Sequence, residues 1–447
     1  MTITGCKENC THAESQDIAL TPATKEIEGN AVSGFNVAVG GKMGSGGYRI
    51  ASPLNLFVTQ AEAAEICSHI ACIFRDHGFR EFRTKARLAF LIEDWGVEQF
   101  REELGRRADR PLDAAGKDER SDKRADHIGI YRQKQAGLNY VGLAVPVGRI
   151  TAEQMLGVAE LAERYGSGLI RLTVGQNLII PNVSDADLGA LTTVPLLKEL
   201  RYDPSEVMRG LVSCTGVDYC QFALIETKER AVKTARILEQ ELGKTKPISI
   251  HWSGCPAGCG NHGAAEIGLI GKNIKINGQI EEAADLYLGG STGRLANLPI
   301  KIMEDVPCDS LSDVLGGLVR HGAFNAMRRQ LREIPQNQGA VVRSAEPKEP
   351  EGPLVHAKDI AEGSAKLVRR KGEEMAVFKV DGQLYGIQNI CPHQGGQLCK
   401  GWIEGGEVVC PLHGYKFNLQ TGACSTDPKL KVRVFKLVGQ GDQFTVQ

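Results

Sequence analysis

The clearest alternation of apolar and polar positions lies between residues 137 and 192. "GLNYVGLAVP" is a short apolar run of the length of a buried strand. "TAEQMLGVAELAERYG" repeats its apolar residues at helical spacing. Thr151 stands at the N-cap, Gln154 completes a capping box and Gly166 marks the stop, so the pattern predicts a helix over 151–166. "LIRLTV" and "LIIPNV" read as two strands across the turn "GQN", and Ser184 opens a further helix. That order, βαββα, is a split βαβ layer.

The flanks differ. Residues 105–126, "GRRADRPLDAAGKDERSDKRAD", are charged and nearly without apolar positions, which predicts a solvated connector. Residues 335–353, "PQNQGAVVRSAEPKEPEGP", form a second linker rich in Pro, Gln and Glu. Beyond it the pattern turns to short strands with Gly turns, as in a small all-β domain. Upstream, the chain repeats itself. "GCKENCTHAESQDIAL" (5–20) aligns with "GCPAGCGNHGAAEIGL" (254–269), and "FNVAVGGKMG" (35–44) with "ADLYLGGSTG" (284–293). Both matches have the same offset of 249 without a gap, which predicts a duplicated fold. The second copy carries residues 127–250 ahead of its Cys-x3-Cys. The first has no counterpart, so the chain is expected to open midway through repeat one. The fold class expected is α+β, with units 1–104, 105–126, 127–200, 201–334, 335–352 and 353–447.

Composition narrows the function. The 447 residues carry 53 basic against 54 acidic side chains, a balance that does not favour nucleic acid. No apolar run approaches the roughly 20 residues of a membrane span, and the polar N-terminus is no signal peptide. Thirteen cysteines without an export signal point to a cytoplasmic protein whose cysteines are buried thiols or metal ligands.

Two groups fall at ligand spacing. The first is Cys214-x5-Cys220, then 34 residues, then Cys255-x3-Cys259. Four thiols in two Gly-containing turns suit a cubane iron–sulfur cluster or zinc, and the x5 spacing leans to iron–sulfur. The second is Cys391-x-His393, 16 residues, then Cys410-x2-His413. Two Cys-His pairs on two loops are the ligand set of a Rieske [2Fe–2S] centre, with zinc as the rival. Pro follows each cysteine and Gly follows His413, which favours tight loops. Cys6 and Cys10 repeat the x3 spacing without an upstream pair, so they are expected to be vestigial or buried thiols.

"GLVSCTGVDYCQFALIETK", "ISIHWSGCPAGCGNHGAAEIGLIG" and "RLTVGQNLIIPNV" resemble the sirohaem-dependent nitrite and sulfite reductases. "GFNVAVGG" and "QKQAGLNYVGLAVPVGR" are more similar to the ferredoxin-dependent nitrite branch. Residues 353–447 resemble the Rieske-type small subunit of NADH-dependent nitrite reductases. The resemblance implies a duplicated nitrite/sulfite reductase fold followed by an all-β Rieske domain. It further implies a [4Fe–4S] cluster on Cys214, Cys220, Cys255 and Cys259, with the Cys259 sulfur bridging to a sirohaem iron. The substrate implied is nitrite, with sulfite as the alternative, and the donor a ferredoxin or a flavin-linked protein. Basic candidates for the anion are Arg132, Lys134 and Arg171. Gln176, Asn177 and Asn36 are candidates for the cofactor, with Lys25 and Lys42 in the same first-repeat segment. Ala257 stands where the family commonly has Asn. Leu412 stands where high-potential Rieske proteins have a disulfide cysteine, which implies the disulfide-free ferredoxin type.

A Rieske centre reaches down only to about −150 mV while plant-type ferredoxins lie near −400 mV. An electron moving from the first level to the second climbs about 250 mV, roughly four decades at 59 mV each. The Rieske domain is therefore expected to dock or tune as much as to donate. The remaining reading is an electron-transfer protein whose live part is the Rieske module.

Overall fold

The computed structural model describes residues 1–44, 47–81, 85–121, 125–276, 278–294, 296–320, 355–370, 373–440 and 443–446. The expected linker 335–352 lies outside the described residues. Two compact units are drawn from 1–79, 87–271 and 283–341, and from 80–86, 272–282 and 342–447. Among the described residues no helix is long and apolar enough to cross a membrane.

The larger unit contains the duplication. In repeat one, β1 (Thr2–Ile3) runs parallel to β2 (Ile18–Ile27). β2 forms a hairpin with β3 (Asn30–Val39). A small hairpin of β4 (Lys42–Met43) and β5 (Tyr48–Arg49) follows, and β6 (Ser52–Thr59) pairs with β3. The helix α1 (Ala63–His77) buries Ala63, Ile66, Ile70 and Ile73 at helical spacing against this sheet. α2 (Leu88–Ala108) adds Leu88, Ile92, Phe100 and Leu104 to the same core and is broken at Gly96, where φ is +76°. Each such side chain contributes about 1.5–3 kcal/mol by leaving water.

Segment 105–126 departs from expectation. Its first residues finish α2, and β7 (Lys117–Asp118) joins the sheet beside β2. Its charges have partners: Arg120 pairs with Glu14 and Asp118, and Glu119 pairs with Lys7 and accepts from Thr24 Oγ1. It is part of the fold, because charges that read as solvated are matched across the sheet.

The half-domain 127–200 follows prediction with one strand added. β8 (Gly129–Arg132) precedes β9 (Leu138–Leu143), α3 (Ala152–Tyr165), β10 (Arg171–Leu172), β11 (Leu178–Ser184) and α4 (Leu188–Thr192). The sheet order is β10-β11-β9-β8. Thr151 and Gln154 form the expected capping box, and Gly166 ends the helix. "LIRLTV" yields only a two-residue strand, and α4 starts three residues late, after a turn over 185–187 in which Ser184 Oγ accepts from the Asp187 N–H at 3.2 Å.

Repeat two is built from α5 (Glu206–Arg209), β12 (Leu211–Ser213), α6 (Lys228–Leu242), β13 (Ile250–Ser253), β14 (Ile267–Ile276), β15 (Gln279–Leu288), β16 (Ile300–Pro307) and α7 (Leu311–Arg320). Its sheet runs β12-β13-β14-β15-β16. β14 and β15 start and stop at the same relative positions as β2 and β3. The single turns Ala13–Ser15 and His262–Ala264 also correspond, each entered through a left-handed residue, His12 at φ +51° and Asn261 at φ +53°. The offset of 249 is thus an offset of structure.

The smaller unit is all-β. β17 (Val355–His356), β18 (Ala365–Arg370), β19 (Glu373–Val380), β20 (Gln383–Gln388), β21 (Trp402–Glu404), β22 (Glu407–Val409), β23 (Lys416–Asn418), β24 (Val434–Phe435), β25 (Leu437–Gln440) and β26 (Gln443–Val446) form sheets β18-β19-β20-β24, β21-β22-β23 and β17-β26-β25. Its core includes Phe378, Ile387, Leu398, Val408 and Phe417 together with Cys391 and Cys410.

Candidate metal centres

The four upstream cysteines lie on two turns at the end of the β12-β13 pair. Cys214 follows β12, and its N–H donates to Trp252 O at 2.9 Å. Thr227, at the N-terminus of α6, holds this loop by donating from Oγ1 to Cys214 O at 2.9 Å. The Gly254 N–H donates to Cys214 Sγ at 3.1 Å, and the Leu224 N–H to Gly254 O at 2.8 Å, so the two turns are laced together. Burial pushes the Cys255 thiol up to about 11, with Cys259, Cys214 and Cys220 adding to the shift. Burial also raises the Cys259 thiol, with Cys214 and Cys220 contributing. Cys214 and Cys220 thus lie within electrostatic reach of Cys255 and Cys259. Unpaired thiolates are costly there, and a cationic metal cluster would reverse that cost. Cys255 is buried while Cys259 is exposed.

In the smaller unit two six-residue loops share one backbone. Ile390 bridges Gln397 around Cys391–Gly396, and Val409 pairs with Lys416 around Cys410–Tyr415. In each loop the cysteine N–H donates to the carbonyl five residues on, and the residue four on donates back to the cysteine carbonyl, all at 2.8–2.9 Å. That fourth residue is Gly395 in one loop and Gly414 in the other, at φ +78° and +68°, a conformation that glycine adopts without strain. The histidine is offset by one position between the loops, yet the His393 and His413 rings meet at 4.9 Å and 89°. Tyr415 stacks on His393 at 4.0 Å. The two cysteine side chains hydrogen-bond one another, and removing both protons would set two charges side by side, so the Cys391 thiol is pushed up. A Cβ on Gly396 would lie 2.5 Å from Cys410 Sγ. Two sulfurs and two imidazoles in a cradle this tight fit a [2Fe–2S] group. Among the described residues no three His, Cys, Asp or Glu side chains share a single-ion site; a cluster spreads its ligands over several irons.

The other predicted residues scatter. Arg132 and Arg171 are exposed on opposite edge strands of one sheet. Pairing sets Arg171 in register with Gly129, so Arg132, three residues on, faces the other side. Their Cα atoms are roughly 17 Å apart, from three strand spacings and three residues of rise. Lys134 is exposed in the turn after β8. Gln176, at φ +66°, donates from Nε2 to Ser213 O at 2.8 Å and so ties its turn to the residue before Cys214. The Asn177 amide is spent within the fold, accepting from the Val145 N–H at 2.9 Å and donating to Gly175 O at 2.9 Å. Asn36 exchanges two hydrogen bonds with the Gly116 backbone. Lys25 pairs with Asp113, and Lys42 is buried with its ammonium 3.8 Å over the Phe90 ring; burial pulls its pKa down to about 8.

Sequence reasoning missed Thr227 and Lys228, which sit behind Cys214; Lys228 Nζ donates to Val147 O. It also missed Tyr48, Ser253 and His262, which brace the second cysteine turn. The only sequence signal was proximity to cysteine for the last two, and there was none for Tyr48.

Three family models match the chain: the nitrite and sulphite reductase 4Fe-4S domain over residues 1–112, the nitrite/sulfite reductase ferredoxin-like half domain over 131–193, and the Rieske [2Fe-2S] domain over 351–436. The chain is 44% identical over 324 residues to a ferredoxin–nitrite reductase of Synechococcus elongatus, covering 72% of this chain and 62% of the relative. It is 38% identical to an assimilatory ferredoxin-dependent nitrite reductase of Haloferax mediterranei, covering 80% and 64%. Among solved structures it is similar to the NirA protein of Mycobacterium tuberculosis, with a TM-score of 0.65 and 33% identity over 71% of this chain and 58% of that one. The chain thus spans less than two thirds of the length of these relatives.

Proposed function

Because the chain joins domains of the nitrite and sulphite reductase family to a Rieske [2Fe–2S] domain, we propose that it reduces nitrite to ammonia with electrons from a ferredoxin or flavin-linked donor. In this reading Cys214, Cys220, Cys255 and Cys259 hold a [4Fe–4S] cluster, and exposed Cys259 is the sulfur that reaches a sirohaem. Cys391, His393, Cys410 and His413 hold the [2Fe–2S] group. The sirohaem iron supplies Lewis acidity toward a small oxyanion, and the clusters supply electrons one at a time.

The protein's part is to position and neutralise. Gln176 and Thr227 fix the backbone on either side of Cys214, so the first ligand turn is set by two elements at once. The exposed cations Lys134 and Arg171 are available to anionic groups, whether cofactor carboxylates or nitrite. The separation of Arg132 from Arg171 supports separate tasks for them. None of the 13 cysteines is paired in a disulfide, which supports a reducing compartment such as the cytoplasm.

The observation that carries this reading is the lacing together of two cysteine-bearing turns 34 residues apart in sequence, by the Gly254 N–H to Cys214 Sγ and the Leu224 N–H to Gly254 O. The test is anaerobic purification of the whole chain, assay of iron, acid-labile sulfide and sirohaem, and ammonia measured from nitrite under reduced ferredoxin. Nitrite-dependent ammonia formation is expected. A chain loaded with sirohaem and both clusters that leaves nitrite untouched would overturn the proposal, and faster turnover of sulfite would assign it to the sulfite branch.

A further inference from the structure

Ser253 closes the base of the second cysteine turn. It lies two residues before Cys255, and its Oγ accepts from the N–H of Gly260, the residue after Cys259, at 3.1 Å. The same Oγ lies 2.9 Å from His262 Nδ1. His262 Nε2 lies 2.7 Å from the hydroxyl of Tyr48, on β5 of repeat one. Ser253 and His262 are fully buried. The Tyr48 ring meets Tyr287 edge-on at 5.8 Å. A neutral imidazole has one N–H and one lone pair, so His262 joins Ser253 and Tyr48 in series, donating to one and accepting from the other.

The backbone around this string leaves no slack. A Cβ on Gly44 would lie 2.5 Å from Ala257 O, and one on Gly258 would lie 2.5 Å from Met43 O. The β4–β5 hairpin of repeat one is therefore in van der Waals contact with the Cys255–Cys259 turn, and glycine is required on both sides. Buried polar side chains are costly wherever one is left unpaired, so an apolar contact would be the simpler packing solution. The duplication supplies a control. The twin of His262 is Ala13 and the twin of Tyr48 is Asn297, so no equivalent string can form at the first cysteine turn. The string occurs only where the turn faces a second cysteine pair.

We propose that the Ser253–His262–Tyr48 string is a positioning device through which repeat one sets the stance of Cys255 and Cys259 and so tunes the redox potential of the cluster they hold. The inference rests on the assignment of Cys214, Cys220, Cys255 and Cys259 as cluster ligands. Groups just outside a cluster's ligands govern its potential by fixing ligand orientation and the N–H groups aimed at sulfur. Removing the Tyr48 hydroxyl leaves Nε2 unsatisfied, lets the ring turn, and loosens Ser253 from the Gly260 N–H.

The test compares the whole chain with Tyr48→Phe, Ser253→Ala and the double variant. The readouts are iron and sulfide content, an EPR-monitored redox titration of the four-iron signal, and the Rieske signal as internal reference. Each single variant is expected to keep the cluster and to change its oxidised-to-reduced ratio at fixed ambient potential at least threefold. Ser253→Thr, which keeps the hydroxyl, should restore the ratio. Because the groups act in series, the double variant should shift no further than the larger single change. Wild-type potentials in both single variants, or additive shifts in the double, would overturn the proposal. A wild-type chain without a four-iron signal would instead overturn the ligand assignment. If Tyr48→Phe fails to fold or loses its cluster, Ser253→Ala against Ser253→Thr decides the matter: rescue by threonine supports the string, and equal potentials refute it.

Discussion

The two cysteine turns share a backbone and have different surroundings. Cys6–Cys10 and Cys255–Cys259 each follow a short parallel strand and lead through a left-handed residue into a single helical turn and a long hairpin. The second turn faces Cys214 and Cys220 and is braced by neutral hydrogen bonds. The first is braced by charge. Asn9 donates to both oxygens of Glu14, at 2.9 and 3.1 Å, and Arg120 closes on the same carboxylate. Glu14 stands where repeat two has Gly263, and Asn9 where it has Gly258. A duplicated backbone thus keeps its path while the side chains that face it decide whether it can hold a metal. Burial and a hydrogen bond to Glu8 push the Cys6 thiol up to about 11, as burial does for Cys255, so what separates the two turns is the second cysteine pair that only the latter faces.

The largest effect should come from exchanging sulfur for oxygen in each turn. Cys255→Ser or Cys259→Ser should remove the four-iron signal, because serine cannot replace a soft ligand at iron. About four of the roughly six cluster irons should be lost, leaving the two of the Rieske type, with the sirohaem iron counted separately. Cys6→Ser and Cys10→Ser should change neither iron content nor spectrum. Iron loss from the first pair would show that the two turns are chemically equivalent after all.

The smaller unit offers the opposite case, a pair of related loops in which both members carry proposed ligands. There the sharpest probe is steric. Gly396→Ala places a methyl 2.5 Å from Cys410 Sγ, inside van der Waals contact. The Rieske EPR signal should be lost or reduced severalfold while the four-iron signal stays intact. Gly395→Ala, strained through its φ of +78°, should weaken the signal as well. A full Rieske signal in Gly396→Ala would mean that the two loops are not held this closely.

Much of this was legible in the primary structure. The offset of 249, seen in two short phrases, reproduces strand ends in the fold, because Gly40-Gly41 and Gly289-Gly290 sit at the same tight corner beside the same carbonyls. The capping box at Thr151 is local and was readable for that reason. What stayed hidden was paired over long distances. Arg120 meets Glu14 across 106 positions, and Tyr48 meets His262 across 214. A charged segment such as 105–126 looks solvated when its partners lie that far away. Asn36 and Asn177 looked like cofactor contacts and instead satisfy backbone groups at turns. Nothing in the sequence shows which groups these two amides meet.

The bracing itself can be separated by charge. Glu14→Gln removes the ionic partner of Arg120 and should destabilise the larger unit by about 3 kcal/mol, as when one member of a largely buried pair is lost. Urea unfolding of the whole chain, followed in the larger unit, measures this. The clusters should be unaffected, and an unchanged midpoint would show that Asp118 alone satisfies Arg120.

The smallest effect is a difference in pH response. Burial, with His251 adding to it, holds the His262 pKa down to about 3. The unfolded chain binds a proton near the ordinary value of 6.5 and the folded one does not, so the unfolded state is favoured as pH falls. The stability held by neutral His262 is complete above 6.5 and is lost between 6.5 and about 3, at about 1.4 kcal/mol per pH unit. Glu119, which pairs with Lys7 of the first turn, acts lower. Hydrogen bonds from Lys7, Lys117 and Thr24 hold Glu119 at about 2, so its contribution is present above its ordinary 4.5 and fades between there and about 2. Between pH 6.5 and 4.5 the second turn should therefore weaken while the pairing of Glu119 with Lys7 and Lys117 holds. Urea midpoints of the chain and of His262→Gln across that range measure the difference: the variant should be less stable at pH 7, and its slope against pH should be shallower by up to one proton's worth. Parallel slopes would mean that His262 is not held neutral by burial, and the contrast between a neutral and an ionic brace would fail at its most specific point.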